Sequence, residues 1–198
     1  MKIMLVGATG SLGRVTRREL LTTTDAQLVL VSRHAANLTT DDARERALNI
    51  NVLDGVVLAN ALIGVEAVFV ALSGDLTAMA RSIVMAMTAA GVSRLVFISS
   101  MGIYNEIPAS VGARGNLAHN PMLGPYREAA DIVAASGLNY TVIRPGWFDN
   151  GSDDYVVTRE CEPFGGHDVS RRAIARLAVA ALTDAQLYSH ESVGINRP

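Results

Sequence analysis

The chain is short of several residue types, and each shortage closes off a class of chemistry. It has one cysteine in 198 residues, Cys161. An internal disulfide is therefore impossible, a cysteine-type metal site is excluded, and a reducing compartment such as the cytoplasm is the expected setting. The four histidines, His34, His119, His167 and His190, are scattered rather than grouped as metal ligands. Aromatic residues are few, and no apolar run is long enough for a signal peptide or a membrane span. The formal net charge is only −2, which gives no sign of nucleic acid or of an anionic membrane as partner. Of the seventeen basic residues only Lys2 is a lysine.

What is present begins with a turn. The run Gly7-Ala8-Thr9-Gly10-Ser11-Leu12-Gly13 spaces its glycines by three and three. Ile3 to Val6 before it is apolar, too short for a helix and suited to a buried strand. Arg14 to Leu21 after it reads as a helix, with Val15, Leu20 and Leu21 inward and Arg17, Arg18 and Glu19 outward. Glycines placed where a strand passes into a helix form a dinucleotide-binding fingerprint. Gly7 permits the tight turn, Gly10 leaves room for a pyrophosphate, and Gly13 lets helix and strand pack closely. The free amides of the first helical turn, Leu12 among its residues, then hold the phosphates, with Thr9 and Ser11 as added hydroxyl donors.

A second strand, Gln27 to Val31, runs into Ser32-Arg33. An acidic residue roughly twenty positions past the glycines would take the ribose 2′-hydroxyl of NAD(H). Here a neutral hydroxyl and a fixed cation stand instead. A guanidinium can hold a 2′-phosphate through two hydrogen bonds, and no carboxylate repels it. NADP(H) is expected over NAD(H).

The remaining chain alternates strand and helix. Ala47 to Val52 reads as a third strand, and Asp54 after it suits either an adenine contact or the cap of a helix from Val56 to Ile63. Ala67 to Leu72 is a continuous apolar strand, ended by Ser73-Gly74, where a glycine would let a ribose or pyrophosphate lie against the backbone. Leu76 to Ala90 is a helix apolar nearly all round, either deeply packed or at a subunit interface, so a homodimer is compatible with it. Arg94 to Ile98 is a fifth strand leading into Ser99-Ser100. Ile103 to Leu123 has no regular period, and a loop this long at the carboxyl end of a strand is expected to be functional. A helix follows from Tyr126 to Ala135, then a sixth strand from Tyr140 to Ile143. Tyr155 to Thr158 reads as a short edge strand, Arg171 to Leu182 as a helix capped by Ser170, or by Asp168 if it starts earlier, and Val193 to Asn196 as a last strand. The pattern predicts one α/β domain over residues 1–198, a Rossmann-like doubly wound, mainly parallel sheet with helices on both faces. The part after about residue 145 is expected to lie on the substrate side.

The glycine motif, Ser99-Ser100, and the segment Ser136-Gly137-Leu138-Asn139-Tyr140-Thr141-Val142-Ile143-Arg144-Pro145-Gly146 together resemble the atypical short-chain dehydrogenases. More narrowly they resemble the NAD(P)H-binding group that includes NmrA-like proteins and the flavin reductase/biliverdin-IXβ reductase type. The resemblance implies that Pro145 lies near the nicotinamide and that Leu72-Ser73-Gly74 and Ser99-Ser100 line the ribose and nicotinamide. It also carries a departure. The usual members pair a tyrosine with a lysine four residues on, which lowers the tyrosine pKa for proton transfer. Here Tyr126 is followed by Ala130, and aligned back from Ser136-Gly137 it occupies the lysine place itself, with Met122 where the tyrosine belongs. Lys2 is the only lysine, so nothing else can fill the role.

Hydride transfer needs little from the protein when the acceptor takes its proton from solvent. Flavins and quinones are such acceptors. Ser100, Tyr104 and Tyr126 are the candidate helpers. Arg144 suits a structural ion pair, and Trp147 and Phe148 suit either an apolar wall over the nicotinamide or the core. The expected function is NADPH-dependent reduction of a small planar acceptor such as a flavin or quinone. The rival is a non-catalytic, redox-sensing NADP(H)-binding regulator that acts through a protein partner. Sugar epimerisation normally relies on the missing pair and on a larger C-terminal region.

Overall fold

A computed structural model describes all 198 residues, from Met1 to Pro198. Ten strands and five helices alternate along it. The strands are β1 (Lys2–Val6), β2 (Gln27–Ser32), β3 (Glu45–Asn49), β4 (Ala67–Val70), β5 (Arg94–Ile98), β6 (Asn139–Pro145), β7 (Trp147–Asp149), β8 (Val156–Thr158), β9 (Asp168–Ser170) and β10 (Glu191–Asn196). The helices are α1 (Ser11–Thr23), α2 (Gly55–Ala61), α3 (Leu76–Ala90), α4 (Gly124–Ala134) and α5 (Arg171–Thr183). Eight strands form one sheet in the order β3-β2-β1-β4-β5-β6-β10-β8. Every pairing in it is parallel except that of β8 with β10. The chain thus winds outward from β1 to β3, returns to β4 beside β1, and winds outward again.

The sheet is covered on both faces, and strand alternation feeds both layers. Met4 and Val6 of β1 join a core with Leu58 of α2, Ile83 of α3 and Val133 of α4. Ile3 and Leu5 join the opposite core, with Leu20 of α1 and Ile174 and Leu177 of α5. Each such side chain contributes about 1.5–3 kcal/mol on burial. α2, α3 and α5 begin on their own side-chain caps: Asp54 accepts from Val57 N, Asp75 from Ala78 N, and Ser170 from Ala173 N. α3 lies between α2 and α4, burying Ala80, Ile83 and Met87 while Met85 on its outer side is 71% exposed.

Three details differ from the sequence expectation. β3 starts at Glu45 rather than Ala47 and stops at Asn49. Its polar first residue is buried because Arg17 of α1 neutralises it. Ile50 and Val52, read as strand, are buried beyond it, where Asn51 turns the chain by accepting the backbone N–H of Asp54. β7 and β9 are three-residue strands that pair with each other in a separate parallel sheet, too short to leave a pattern. Finally, the stretch after 145 divides. β7 stands beside the cleft described below, whereas α5 and β10 return to cover and extend the main sheet.

Candidate functional site

The site grows from the turn after β1. Gly7 has φ +91°, and a Cβ on it would sit 2.0 Å from the Ala71 carbonyl oxygen. Gly7 N and Ala8 N both donate to Val31 O of β2, so the turn is tied to the end of the neighbouring strand. A Cβ on Gly13 would stand 2.2 Å from Gly7 O, which is how closely α1 packs on the turn. Gly10 differs: its φ is −71°, and the only atom a Cβ would meet is Gly7 O at 3.2 Å. It is exposed and lines the cleft. Gly10 is also the N-cap of α1, and no side chain caps that end. The first amides of α1, with the positive end of the helix dipole, thus face the cleft without a protein acceptor. Those features fit a pyrophosphate.

The cleft has a volume of ≈ 440 Å³ and runs along the carboxyl ends of β1, β2, β4 and β5. It brings together most of the residues that the sequence singled out: Gly7, Thr9, Gly10, Ser11, Leu12, Gly13, Ser32, Arg33, Leu72, Ser73, Ser99 and Tyr126 all line it. No carboxylate does. At the β2 end Arg33 is exposed and has no ion pair, and Ser32 Oγ accepts from His34 N at 3.0 Å. Asn51, Val52 and Leu53 form the adjacent wall.

Five of the singled-out residues lie outside the cleft lining. Asp54 caps α2 instead, since its carboxylate is turned onto Val57 N at 3.2 Å. Gly74 lies just past the rim with φ +109°. Ser100 donates to Met101 O at 3.1 Å. Pro145 is buried, and its carbonyl accepts from Met101 N at 3.1 Å. The Tyr104 ring lies under the Arg127 and Arg144 guanidinium groups, at 4.7 and 5.2 Å. Burial pushes its phenol above the usual range, which makes it a poorer acid. The far end of the cleft is made instead by Ile98, Ser99, Met79, Tyr126 and Phe148. Ser99 N donates to Ile143 O at 2.8 Å, and its hydroxyl to Tyr126 O at 3.2 Å, which ties α4 to the end of β5.

The sequence leaves the role of Phe148 open. Trp147 and Phe148 are not core: they are 69% and 39% exposed. Trp147 stacks on His167 at 6.2 Å between ring centroids, and Arg171 stands 5.5 Å from the Phe148 ring. Only the topology brings β7 and α3 to the cleft, so no local pattern could mark Phe148 or Met79. The loop from Ile103 to Leu123, expected to be functional, contributes no lining residue. It packs as a structural flank. Glu106, buried and missed in the sequence, pairs with the fully buried Arg144. Its carboxylate also accepts from Gly102 N at 3.1 Å and Tyr104 N at 2.9 Å, and so folds the loop onto the end of β6.

No group of histidine, cysteine, aspartate and glutamate is placed to hold a metal ion. No helix is long and apolar enough to cross a membrane. A sequence model of an NAD(P)H-binding family matches residues 7–185. A Rossmann-fold NAD(P)-binding family protein from Shigella flexneri is 31% identical, with a TM-score of 0.85 over 100% of this chain and 93% of that one. A short-chain dehydrogenase/reductase from Veillonella parvula, solved in complex with NADP, is 26% identical, with a TM-score of 0.89 over 100% of this chain and 94% of that one. An uncharacterized sugar epimerase of Bacillus subtilis, YhfK, is 26% identical over 93% of this chain and 89% of its own length.

Proposed function

Since the chain belongs to this NAD(P)H-binding family, we propose that it is an NADPH-dependent reductase of a small planar acceptor such as a flavin or quinone. The observation that carries the reading is the extent of the cleft. It continues past the glycine turn to an apolar and aromatic end of Ile98, Met79, Tyr126 and Phe148, where a second planar group can lie beside a nicotinamide. When bound, the dinucleotide supplies the hydride. The chain's own residues hold and orient. The α1 amides and Ser11 take the pyrophosphate, Arg33 and Ser32 the 2′-phosphate, and Ser73 and Ser99 stand along the ribose and nicotinamide side. Phe148 and Met79 keep water from the reacting face. Tyr126 is the one phenol on the cleft, and Ser100 and Tyr104, turned away, deliver no proton. Flavins and quinones can take their proton from solvent, and the reading assigns it there, at the edge of the acceptor that faces away from the nicotinamide. The relative named as a sugar epimerase suggests another chemistry, but this chain lacks the lysine on which such chemistry usually relies. The lone exposed thiol, Cys161, suits the reducing cytoplasm.

One observation favours the regulator instead: two of the three candidate helpers do not reach the cleft. Calorimetric titration with NADPH, NADP⁺, NADH and NAD⁺, on wild type and Arg33→Ala, tests the shared premise. NADPH is expected to bind clearly tighter than NADH, and the substitution to remove the difference. A panel of flavins and quinones then separates the two readings. Oxidation of NADPH by any of them supports the reductase, and tight binding without turnover supports the regulator. Failure of all four dinucleotides to bind overturns both.

A further inference from the structure

We propose that the outward face of α2 is the interface of a homodimer, in which two copies of this helix lie antiparallel about a twofold axis near Asn60. Residues 55–65 contain no charged side chain, and α2 is the only one of the five helices without one. Ten large apolar side chains are exposed in the chain, and half of them stand on this face: Leu53, Val56, Val57, Ile63 and, from α3, Met85. Val56, Asn60 and Ile63 follow a three-and-four spacing along α2 and the turn that ends it, while Leu58 and Leu62 between them face the core. Leu53, Val56 and Met85 line a shallow hollow on one side of Asn60, and Val57 and Ile63 line another on its other side. α3, apolar nearly all round in sequence, is itself covered by α2 and α4 and gives only its Met85 edge to this face. A continuous apolar face with no charge is what a monomer rarely leaves in water and what a protein contact requires.

Three features fit a second copy of this chain as the occupant. A twofold interface is isologous, so each side chain near the axis meets its own twin. An uncharged face satisfies that condition, whereas a charged one would repel itself. Asn60 lies midway between Val56 and Ile63, is exposed, and belongs to both hollows. Its side-chain amide has no hydrogen-bond partner within the chain. An amide carries donor and acceptor together, so two facing copies can pair. The ends of the face also carry opposite charges. Asp54 stands at the start of α2, with one carboxylate oxygen on Val57 N and the other free. Lys2 stands at the far end, where its ammonium lies 3.9 Å from the position of a Cβ on Gly64 and has no carboxylate partner. Glu66, at the same end, accepts from Lys2 N instead. Antiparallel packing brings each Asp54 toward Lys2 of the second copy and opposes the two helix dipoles. Parallel packing would set like charges together.

The test is sedimentation velocity of the full chain over about 1–100 μM, with far-ultraviolet circular dichroism as the folding control. Wild type is expected to pass from monomer to dimer within that range. Val56→Lys and Ile63→Lys each place a charge on the face without entering the core, and each is expected to weaken the dimer at least about tenfold with an unchanged spectrum. Asn60→Cys in a Cys161→Ser background is expected to give a disulfide-linked dimer on mild oxidation, because residues beside the axis meet at the short spacing a disulfide needs. Thr22→Cys in the same background, exposed on α1, is expected to cross-link far more slowly. A wild type that stays monomeric to about 100 μM overturns the inference and leaves the face to a different protein. A dimer that survives both lysine substitutions overturns it, since its interface lies elsewhere. A dimer that does not cross-link through position 60 overturns the antiparallel arrangement and the inference with it. None of these results depends on whether a dinucleotide binds, so the cofactor reading stands or falls separately.

Discussion

An alanine at Gly10 and an alanine at Gly13 should damage the protein in different ways. At Gly13 the new methyl group would stand 2.2 Å from Gly7 O and 2.9 Å from two further backbone atoms, so α1 must move off the turn. Overpacking of this kind costs about 1–3 kcal/mol or more, and the loss should appear as a lower melting temperature without any ligand. At Gly10 the backbone is extended and the nearest atom is 3.2 Å away. Gly10→Ala should cost no more than about 1 kcal/mol, the difference between glycine and alanine at an N-cap. Its methyl group enters the space left for the pyrophosphate, so NADPH binding should weaken at least tenfold. Calorimetry beside thermal unfolding of both variants separates the two roles. Tyr126→Phe belongs to the same scale. With the proton drawn from solvent, the variant should keep NADPH affinity and more than about a tenth of any reductase rate, whereas loss of a true proton donor costs roughly 10²–10⁴-fold.

Between elements, the pair of half-buried Arg17 and buried Glu45 fastens α1 to the start of β3. Arg17 also holds Thr39 O, and Glu45 accepts from Asp41 N, so the pair shapes the whole connection that leaves Ser32-Arg33 at the cleft. Burial alone would push the Glu45 carboxyl up. The hydrogen bonds and charge of Arg17 and the Asp41 N–H outweigh it, and the carboxyl lies below its usual range. A depressed carboxyl stabilises the fold fully above its unfolded value, about 4.3, and the contribution is lost as pH falls through the lower folded value. Acid unfolding of Glu45→Gln should therefore show a shallower pH dependence below about pH 4 than wild type. Glu106 and Arg144 form the deeper pair, 2% and 0% exposed at the side chain. Glu106→Ala should destabilise by about 3–5 kcal/mol, because it leaves the guanidinium buried and unpaired, and urea unfolding measures it. These pairs also show why part of the fold was hidden in the sequence. Strands covered on both faces announce themselves as apolar runs, and the glycine turn is local, so β1, β4, β5 and the phosphate end of the cleft could be read directly. Glu45 looked like loop because its partner lies twenty-eight residues away, and Glu106 sat in a stretch with no period. Asp54 satisfied two local rules at once, and only the geometry shows that the cap of α2 uses it.

On the scale of the whole molecule the last strand closes the design. β10 is inserted between β6 and β8, in parallel with the first and antiparallel with the second. Val193 and Ile195 are fully buried in the core beneath α5. The connection before it also carries structural bonds, since the buried Arg94 donates to Leu187 O as well as to Ala181 O at the end of α5. Burial holds the Arg94 guanidinium below its usual range, yet it remains a cation at the negative end of a helix, where it offsets the dipole. Residues 186–198 thus add a strand, an anchor for α5 and a cover for the β6 edge, although none of them lines the cleft. Removing them should expose the full hydrogen-bonding edge of β6 and strip Arg144 of its Ser192 partner. Two fully buried aliphatic side chains alone contribute about 3–6 kcal/mol, comparable with the whole net stability of a domain. A chain ending at residue 185 should therefore aggregate or show no cooperative thermal transition by circular dichroism. A truncated chain that still melts cooperatively and still binds NADPH would mean that the six strands from β3 to β6 in the sheet carry the fold without β10.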